Sequence, residues 1–413
     1  MFEAALEVVR IQARFAKTGA VYLVQGRVAE AWAKTIWEKA SSLQSVAKRR
    51  DEETAARKRF HEAGGAFEAA ADLAADSTVK ADGLWRAAEC YRQAQDYRLL
   101  VAVLDRFIAL QPPLAQLNEA WFRLGEAHHA LGNGTAADTC FRRCIETAGP
   151  LRFRARFQLA VSEIERNHLA EAEEQLTMSL QQLRAETDRE AHENTLFLLA
   201  EVLFRRANYR GAALRWEQAL TLYPASANAP LGRFKLGDCY RRLADAERQQ
   251  PHAGDPPDML EHYRKQYAFY LDQAATNYQK VIDALEARRM TGPLAESETS
   301  LLRDALFLLA QCRFDRGQYE EAARLNDALA ARFQQSYDAF LALKQLYGCQ
   351  LLVVPLDKPQ RDKARATLQR ARVLLNRLDD SAFRDRPPIE SREDSEKWLK
   401  DCEQLLDSLD RAK

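Results

Sequence analysis

Within AWFRLGEAHHALGNGTAADTCFRRC, Ala120 to Cys144, stand two adjacent histidines, His128 and His129, and two cysteines, Cys140 and Cys144. Imidazole and thiolate at short spacing are the ligand types of zinc, and a four-residue step puts Cys140 and Cys144 on one face of a helix. The spacing itself argues the other way. Structural zinc sites present C-x2-C or a close relative from loops, whereas two cysteines a helical turn apart suit a packed helix face. The choice rests on the elements that carry these side chains.

At 413 residues the chain is too long for one compact core, so it either divides into domains or extends as a repeat. Gly and Pro are scarce, helix formers dominate, and few segments show the Val/Ile/Thr alternation of strands, which makes the class all-α. Sixty basic and sixty acidic side chains cancel. That balance argues against a dedicated DNA-wrapping protein, which needs a basic surplus, while leaving room for a local basic patch. Glu3, Glu7, Arg10 and Arg14 interrupt the opening MFEAALEVVRIQARFAKTGAVYLVQGR, unlike a secretory signal. No stretch is apolar for long enough to span a membrane. The opening has mid-helix character, so a signal or anchor on a longer parent stays open.

The same stretch read for spacing gives Trp121-x2-Leu124-Gly125-x2-His128, then Ala137-x3-Phe141. It resembles the tetratricopeptide repeat signature, W-x2-L-G-x2-Y followed by A-x3-F. The Leu-small pair recurs as Leu159-Ala160, Leu199-Ala200, Leu236-Gly237 and Leu309-Ala310, with Ala87-Ala88 as an earlier variant. The second members step from 88 to 125, 160, 200, 237 and 310, gaps of 37, 35, 40, 37 and 73. The family period is about 34 residues with insertions tolerated. Second-helix matches follow at Ala172-x3-Leu176, Ala212-x3-Trp216, Ala274-x3-Tyr278 and Ala322-x3-Asn326. The resemblance implies a right-handed α-solenoid of about eight helical hairpins, each burying its apolar face against its neighbours.

Counted in this frame, His128 takes the usual Tyr slot and Cys144 a small slot of the second helix. Cys90, Cys239 and Cys312 each fall two residues past the small residue of a first helix. Buried free cysteine behaves as a small hydrophobe, so packing outweighs both a metal site and a disulfide framework. Histidines 61, 168, 192, 252 and 262 show no consistent carboxylate or thiol companion in sequence. No phosphate-binding loop, H-E-x-x-H or G-x-S-x-G is present, so the reading assigns no catalytic residue, cofactor or metal.

In the family, the residue after the Trp slot lines the concave face. Here that position holds Trp85, Phe122, Phe157, Phe197, Phe234 and Phe307, with Glu89, Glu126, Glu201 and Asp238 one residue past the Leu-small pair. Such a ladder with acidic flanks suits a protein or peptide partner bearing apolar and basic residues. The competing reading is that the rings only pack within and between repeats. The resemblance also implies that a chaperone-type carboxylate clamp is absent, since Phe122, Glu126, Phe157 and Val161 stand where Lys, Asn and Arg would be.

The expected layout runs as follows: 1–80, N-terminal helices and a degenerate first repeat; 81–230, a regular array; 231–296, a lengthened repeat with a projecting hairpin; 297–380, further repeats; and 381–413, a capping helix opening on Ser391 with an apolar stripe of Trp398, Cys402, Leu405, Leu406 and Leu409. LTLYPASANAPLGRFKLGDCYRRL, Leu220 to Leu243, resembles repeats of bacterial envelope proteins, among them lipoproteins assisting outer-membrane assembly and the coordinator associated with the Tol–Pal system. ARFQQSYDAFLALKQLY is similar, with Gln335 in place of the proline link. That likeness points to the periplasm, while seven cysteines, an odd number, point to a reducing cytoplasm. The expected function is a non-enzymatic interaction scaffold. The alternatives are a self-associating, coat-like solenoid and, third, a helical-repeat RNA binder, disfavoured by neutral charge although Arg152, Arg154 and Arg156 cluster.

Overall fold

The computed structural model describes residues 1–251, 254–334, 336–353, 356–383 and 391–411; the readings that involve His252, Gln335 and positions 354–355 lie outside them. Among the described residues the chain is helical, without a strand. The helices are α1 (Phe2–Phe15), α2 (Gly19–Ser42), α3 (Val46–Asp72), α4 (Ser77–Ala94), α5 (Tyr97–Ala109), α6 (Leu114–Ala130), α7 (Gly134–Glu146), α8 (Arg152–Glu165) and α9 (Leu169–Gln182). They continue as α10 (Arg189–Arg205), α11 (Tyr209–Leu222), α12 (Ala229–Gln249), α13 (Pro257–Thr291), α14 (Glu296–Asp315), α15 (Tyr319–Arg332), α16 (Tyr337–Leu352), α17 (Lys358–Leu375) and α18 (Arg392–Arg411).

The chain forms two compact units, Met1–Thr195 and Leu196–Lys413. In the first, α1 lies on α2 and each helix from α2 to α9 packs on the next. In the second, the same consecutive packing runs from α11 to α18. Short connections turn each helix back on its predecessor, giving eight hairpins from α2/α3 to α16/α17 among the described residues. The fold class is therefore the all-α solenoid class that the spacing implies.

A single packing rule builds the hairpins. The second helix lays a ring on the small residue of the first, so a Cβ on Gly125 would stand 2.5 Å from Phe141, one on Gly237 2.7 Å from Tyr278, and one on Gly26 2.8 Å from Phe67. The last pair makes α2/α3 a full repeat, announced in sequence by Ala63-x3-Phe67. Seven residues past the small position the first helix ends on a left-handed residue: Gln95 (φ 59°), Gly132 (77°), Asn167 (63°), Ala207 (58°) and Gly317 (75°). In α2 and α12 the equivalent positions, Ala33 and Ala244, remain helical. Those two first helices run on to 24 and 21 residues. The partner of α12, α13, extends to 35 residues and has no fully buried side chain before Leu271.

One buried polar knot fastens a turn between repeats. Asn118, fully buried on α6, donates from Nδ2 to the Cys144 carbonyl and to Thr147 Oγ1, both at 2.7 Å, and accepts from the Leu151 backbone N–H at 3.0 Å. Gly149 runs against it so closely that a Cβ would fall 2.2 Å from Asn118 Cγ. At the far end of the chain, Ser391 and Asp394 cap α18 reciprocally, Ser391 N–H to Asp394 Oδ2 and Asp394 N–H to Ser391 Oγ, each at 3.1 Å. The expected stripe on α18 needs one correction. Leu399 and Leu406 are the buried residues, Trp398, Cys402 and Leu409 pack partly buried, and Leu405 is exposed. Four of the five expected residues therefore pack, and Leu399 takes the place given to Leu405.

Removing Asn118 strands buried donors and acceptors, and adding a methyl at Gly125 drives it into the Phe141 ring. Asn118→Ala is expected to lower unfolding free energy by ~1–3 kcal/mol, and Gly125→Ala by ~1–3 kcal/mol. Urea unfolding followed by circular dichroism measures both, and values near zero would contradict the packing rule.

Candidate functional site

The histidine–cysteine cluster resolves into packing. Cys140 and Cys144 are both buried on α7, and Cys144 Sγ faces Asn118 Nδ2 at 3.2 Å. Burial pushes their thiols up to about 11 and about 12, so both are neutral at physiological pH. His129 is exposed, and among the described residues no three His, Cys, Asp or Glu side chains group as a metal site. Cys90, Cys239 and Cys312 are likewise buried. The histidine reading needs a correction: two do have carboxylate companions, His61 with Asp96 at 3.1 Å and His168 with Glu163 at 2.9 Å. Asp96 and His168 are themselves helix N-cap residues, so both pairs tie turns.

The aromatic ladder is occupied chiefly inside the repeats. Phe122 and Phe197 are only 9% and 7% exposed and meet the second-helix rings Phe141 and Trp216, with centroids 5.8 Å and 5.6 Å apart. Half-buried Trp85 and Phe234 make the same contact with Phe107 at 5.0 Å and Tyr278 at 5.5 Å. Phe307 packs against the core of the second unit, and Phe157 is half-buried. Where the second helix carries no ring, Leu176 and the buried Asn326 hold that slot.

Most of the acidic row is paired within the chain. Glu89 accepts from Arg92 and Arg123 at 2.6 Å each, and Arg123 also stacks 4.6 Å over the Trp85 ring. Burial raises the Glu89 carboxyl, but the hydrogen bonds and charge of Arg92 and Arg123 outweigh it and bring it down to about 2. Glu201 meets Arg205 at 3.2 Å and Lys235 at 4.0 Å. Asp238 accepts from the Tyr278 hydroxyl at 2.7 Å, and burial pushes its carboxyl up. Glu126 is exposed on α6. Two of the three clustered arginines are held by hydrogen bonds, Arg154 to Asp188 and Glu190 and Arg156 to Gln175, while Arg152 stacks 4.6 Å over the Phe153 ring.

One open surface lies across the first helices α2, α4 and α6 of the first unit. Two adjoining cavities of about 300 and about 350 Å³ share Trp37 and Gln93. One is lined by Glu30, Lys34, Glu38 and Cys90, the other by Arg92, Arg123 and Glu126. Lys34 pairs with Glu30 at 2.5 Å, and both arginines are held by Glu89. The two carboxylates left exposed beside the Trp37 indole, itself 37% exposed, are Glu38 and Glu126. The sequence reading found Glu89 and Glu126 but missed Trp37 and Glu38. They sit beyond the usual length of a first helix, on the overhang of α2, and the only sequence signal is the lack of a breaker between Gly19 and Ser42.

Two segments match models of the tetratricopeptide repeat, residues 119–149 and 304–337. The first covers α6/α7 and the second begins within α14 and covers α15. The chain is similar in structure to the C-terminal part of a TPR repeat-containing protein from Cytophaga hutchinsonii, at 12% identity and a TM-score of 0.45, over 81% of this chain and 98% of that one. It is also similar to a signal transduction ATPase with a tetratricopeptide repeat sensor from Pyrococcus horikoshii, at 14% identity and a TM-score of 0.43, over 90% and 52%. A third is pilF of Pseudomonas aeruginosa, at 14% and 0.37, over 64% and 96%. No curated protein matches the chain. Among the described residues, no helix is long and apolar enough to cross a membrane.

Two outcomes follow from the burial and charge described. Six cysteines are buried and Cys402 is half-buried, so a thiol reagent should label one site per native chain, the rest after unfolding, and none quickly in Cys402→Ser. Glu89 has a depressed folded value, so its stabilisation is present above its ordinary value of 4.5 and is lost as pH falls toward about 2. Glu89→Gln should therefore flatten that part of the acid limb in melting temperature against pH; an unchanged limb would assign it elsewhere.

Proposed function

We propose that this chain, which carries tetratricopeptide repeats, is an interaction scaffold whose groove over α2, α4 and α6 receives a partner segment with an apolar anchor and a basic residue. Tetratricopeptide repeats generally mediate protein–protein contact, and the groove gives that role a location. The observation that carries the reading is the exposed Trp37 indole between two carboxylates, Glu38 and Glu126, that no ion pair among the described residues neutralises. An aromatic anchor is the side chain that most often concentrates binding energy, and an unpaired acid next to it selects a partner Lys or Arg. This narrows the ladder expected from sequence. Phe122 and Phe197 act in the core, while Glu126 and the α2 overhang supply the surface. Glu89 takes the hydrogen bonds of Arg92 and Arg123, so Glu126 feels these arginines only through space and keeps its oxygens open to a partner.

Binding to an array of peptides that vary apolar and basic content, read by fluorescence polarisation, tests this. Peptides pairing a bulky apolar residue with Arg or Lys should bind the wild type. Trp37→Ala, or Glu38→Lys with Glu126→Lys, should weaken them about tenfold or more while leaving the helical spectrum and melting temperature in place. Acidic peptides binding equally well, or variants without effect, would sink the proposal.

A further inference from the structure

Helix α1 is apolar on two sides. Leu6 and Val9 are buried in the first unit. The opposite side carries Ala4, Val8, Ile11 and Phe15, all exposed, with Val8 at 56%, Ile11 at 45% and Phe15 at 87%. An exposed apolar stripe running the length of a helix marks a surface that something covers. The steps of four, three and four are those of a heptad seam, with Ala4 and Ile11 at d and Val8 and Phe15 at a.

We infer that α1 pairs antiparallel with α1 of a second copy of this chain. One register satisfies both the apolar and the charged positions. Val8 lies against Ile11 of the other copy, and small Ala4 against large Phe15, giving four layers that fill without a gap. In that register Glu7 and Arg14, both exposed and both at position g, flank the seam, and each meets its opposite in the other copy. The contact is isologous, so the Glu7–Arg14 pair occurs twice, related by the two-fold axis. The charges of the helix cancel, Glu3 and Glu7 against Arg10 and Arg14. That balance favours a copy of itself over an anionic membrane surface, which attracts helices with a basic polar face. Four layers make a small interface, so the dimer dissociates on dilution. This surface is separate from the groove over α2, α4 and α6.

Sedimentation velocity of the full chain over a concentration series reads the outcome. The wild type should shift from monomer to dimer at micromolar concentration. Glu7→Arg alone and Arg14→Glu alone each bring like charges together twice and should weaken association about tenfold. Mixing the two variants should restore it as a heterodimer, a rescue that a change in folding cannot mimic. Ile11→Asp, at an exposed position, should abolish it with an unchanged circular dichroism spectrum. A wild type that stays monomeric throughout, or a dimer indifferent to these variants, overturns the inference. Vesicle sedimentation with anionic lipid serves as the counter-test: capture that depends on Phe15 without self-association overturns it in favour of a membrane.

Discussion

The structure depends on one steric condition: a side chain of the second helix must lie on a first-helix residue too small to hold it off. Gly125 under Phe141 and Gly237 under Tyr278 are the strictest cases, since a single Cβ at either place would stand within 2.7 Å of the ring. From that contact follow the close approach of the two helices and the placing of the aromatic row. The ring one position past the Trp slot flanks the same contact, which is why Phe122 meets Phe141 and Phe197 meets Trp216. A side chain that completes a hairpin core has little surface left for a partner.

Because the apolar surface is spent inside hairpins and between a second helix and the next first helix, the first helices meet one another largely through polar groups. Arg123 on α6 reaches Glu89 on α4, Arg154 on α8 reaches Asp188 and Glu190, Arg303 on α14 reaches Asp338 on α16, and Gln345 reaches Gln311. This accounts for a chain rich in charge yet neutral overall. Exposed pairs of this kind contribute only about 0–1 kcal/mol each. Their larger effect is to fix which residues stay unpaired. Glu89 is bonded directly by two arginines, whereas Glu126, one repeat further on, feels Arg92, Arg123 and Arg154 through space without a direct ion pair among the described residues.

The hairpin fold was legible in the sequence because the steric condition leaves a short-range trace: a small residue, then an Ala-x3-ring at fixed distance. Even α2/α3 carries it in Gly26 and Ala63-x3-Phe67. The groove was far less legible. Whether Phe122 faces core or solvent depends on where Phe141 lies, and whether Glu89 is free depends on Arg123, 34 positions away. The polar knot at Asn118 has no local signature at all, since its three partners belong to the next helix and turn. On α18 four of the five expected residues pack and Leu405 alone turns outward, because Leu405 and Leu406 are interchangeable as hydrophobes until the facing helix selects one.

The exceptions to the rule are where new surface arises. A first helix stops seven residues past its small position, on a left-handed residue that only some side chains accept at low cost. Gly132 and Gly317 adopt it freely, while Gln95, Asn167 and Ala207 do so because the repeat around them enforces the turn. When Ala33 or Ala244 stands there and the following residues favour helix, the turn is skipped and the helix runs on. In α2 that extension carries Lys34, Trp37 and Glu38 over α4 and α6, forming a wall that a repeat of regular length does not have. In α12 the same omission lengthens the hairpin with α13, leaving α13 without a buried side chain ahead of Leu271. Two first helices that pass the turn position unbroken thus turn a uniform stack into one with distinct surfaces, at positions where the repeat pattern itself is silent.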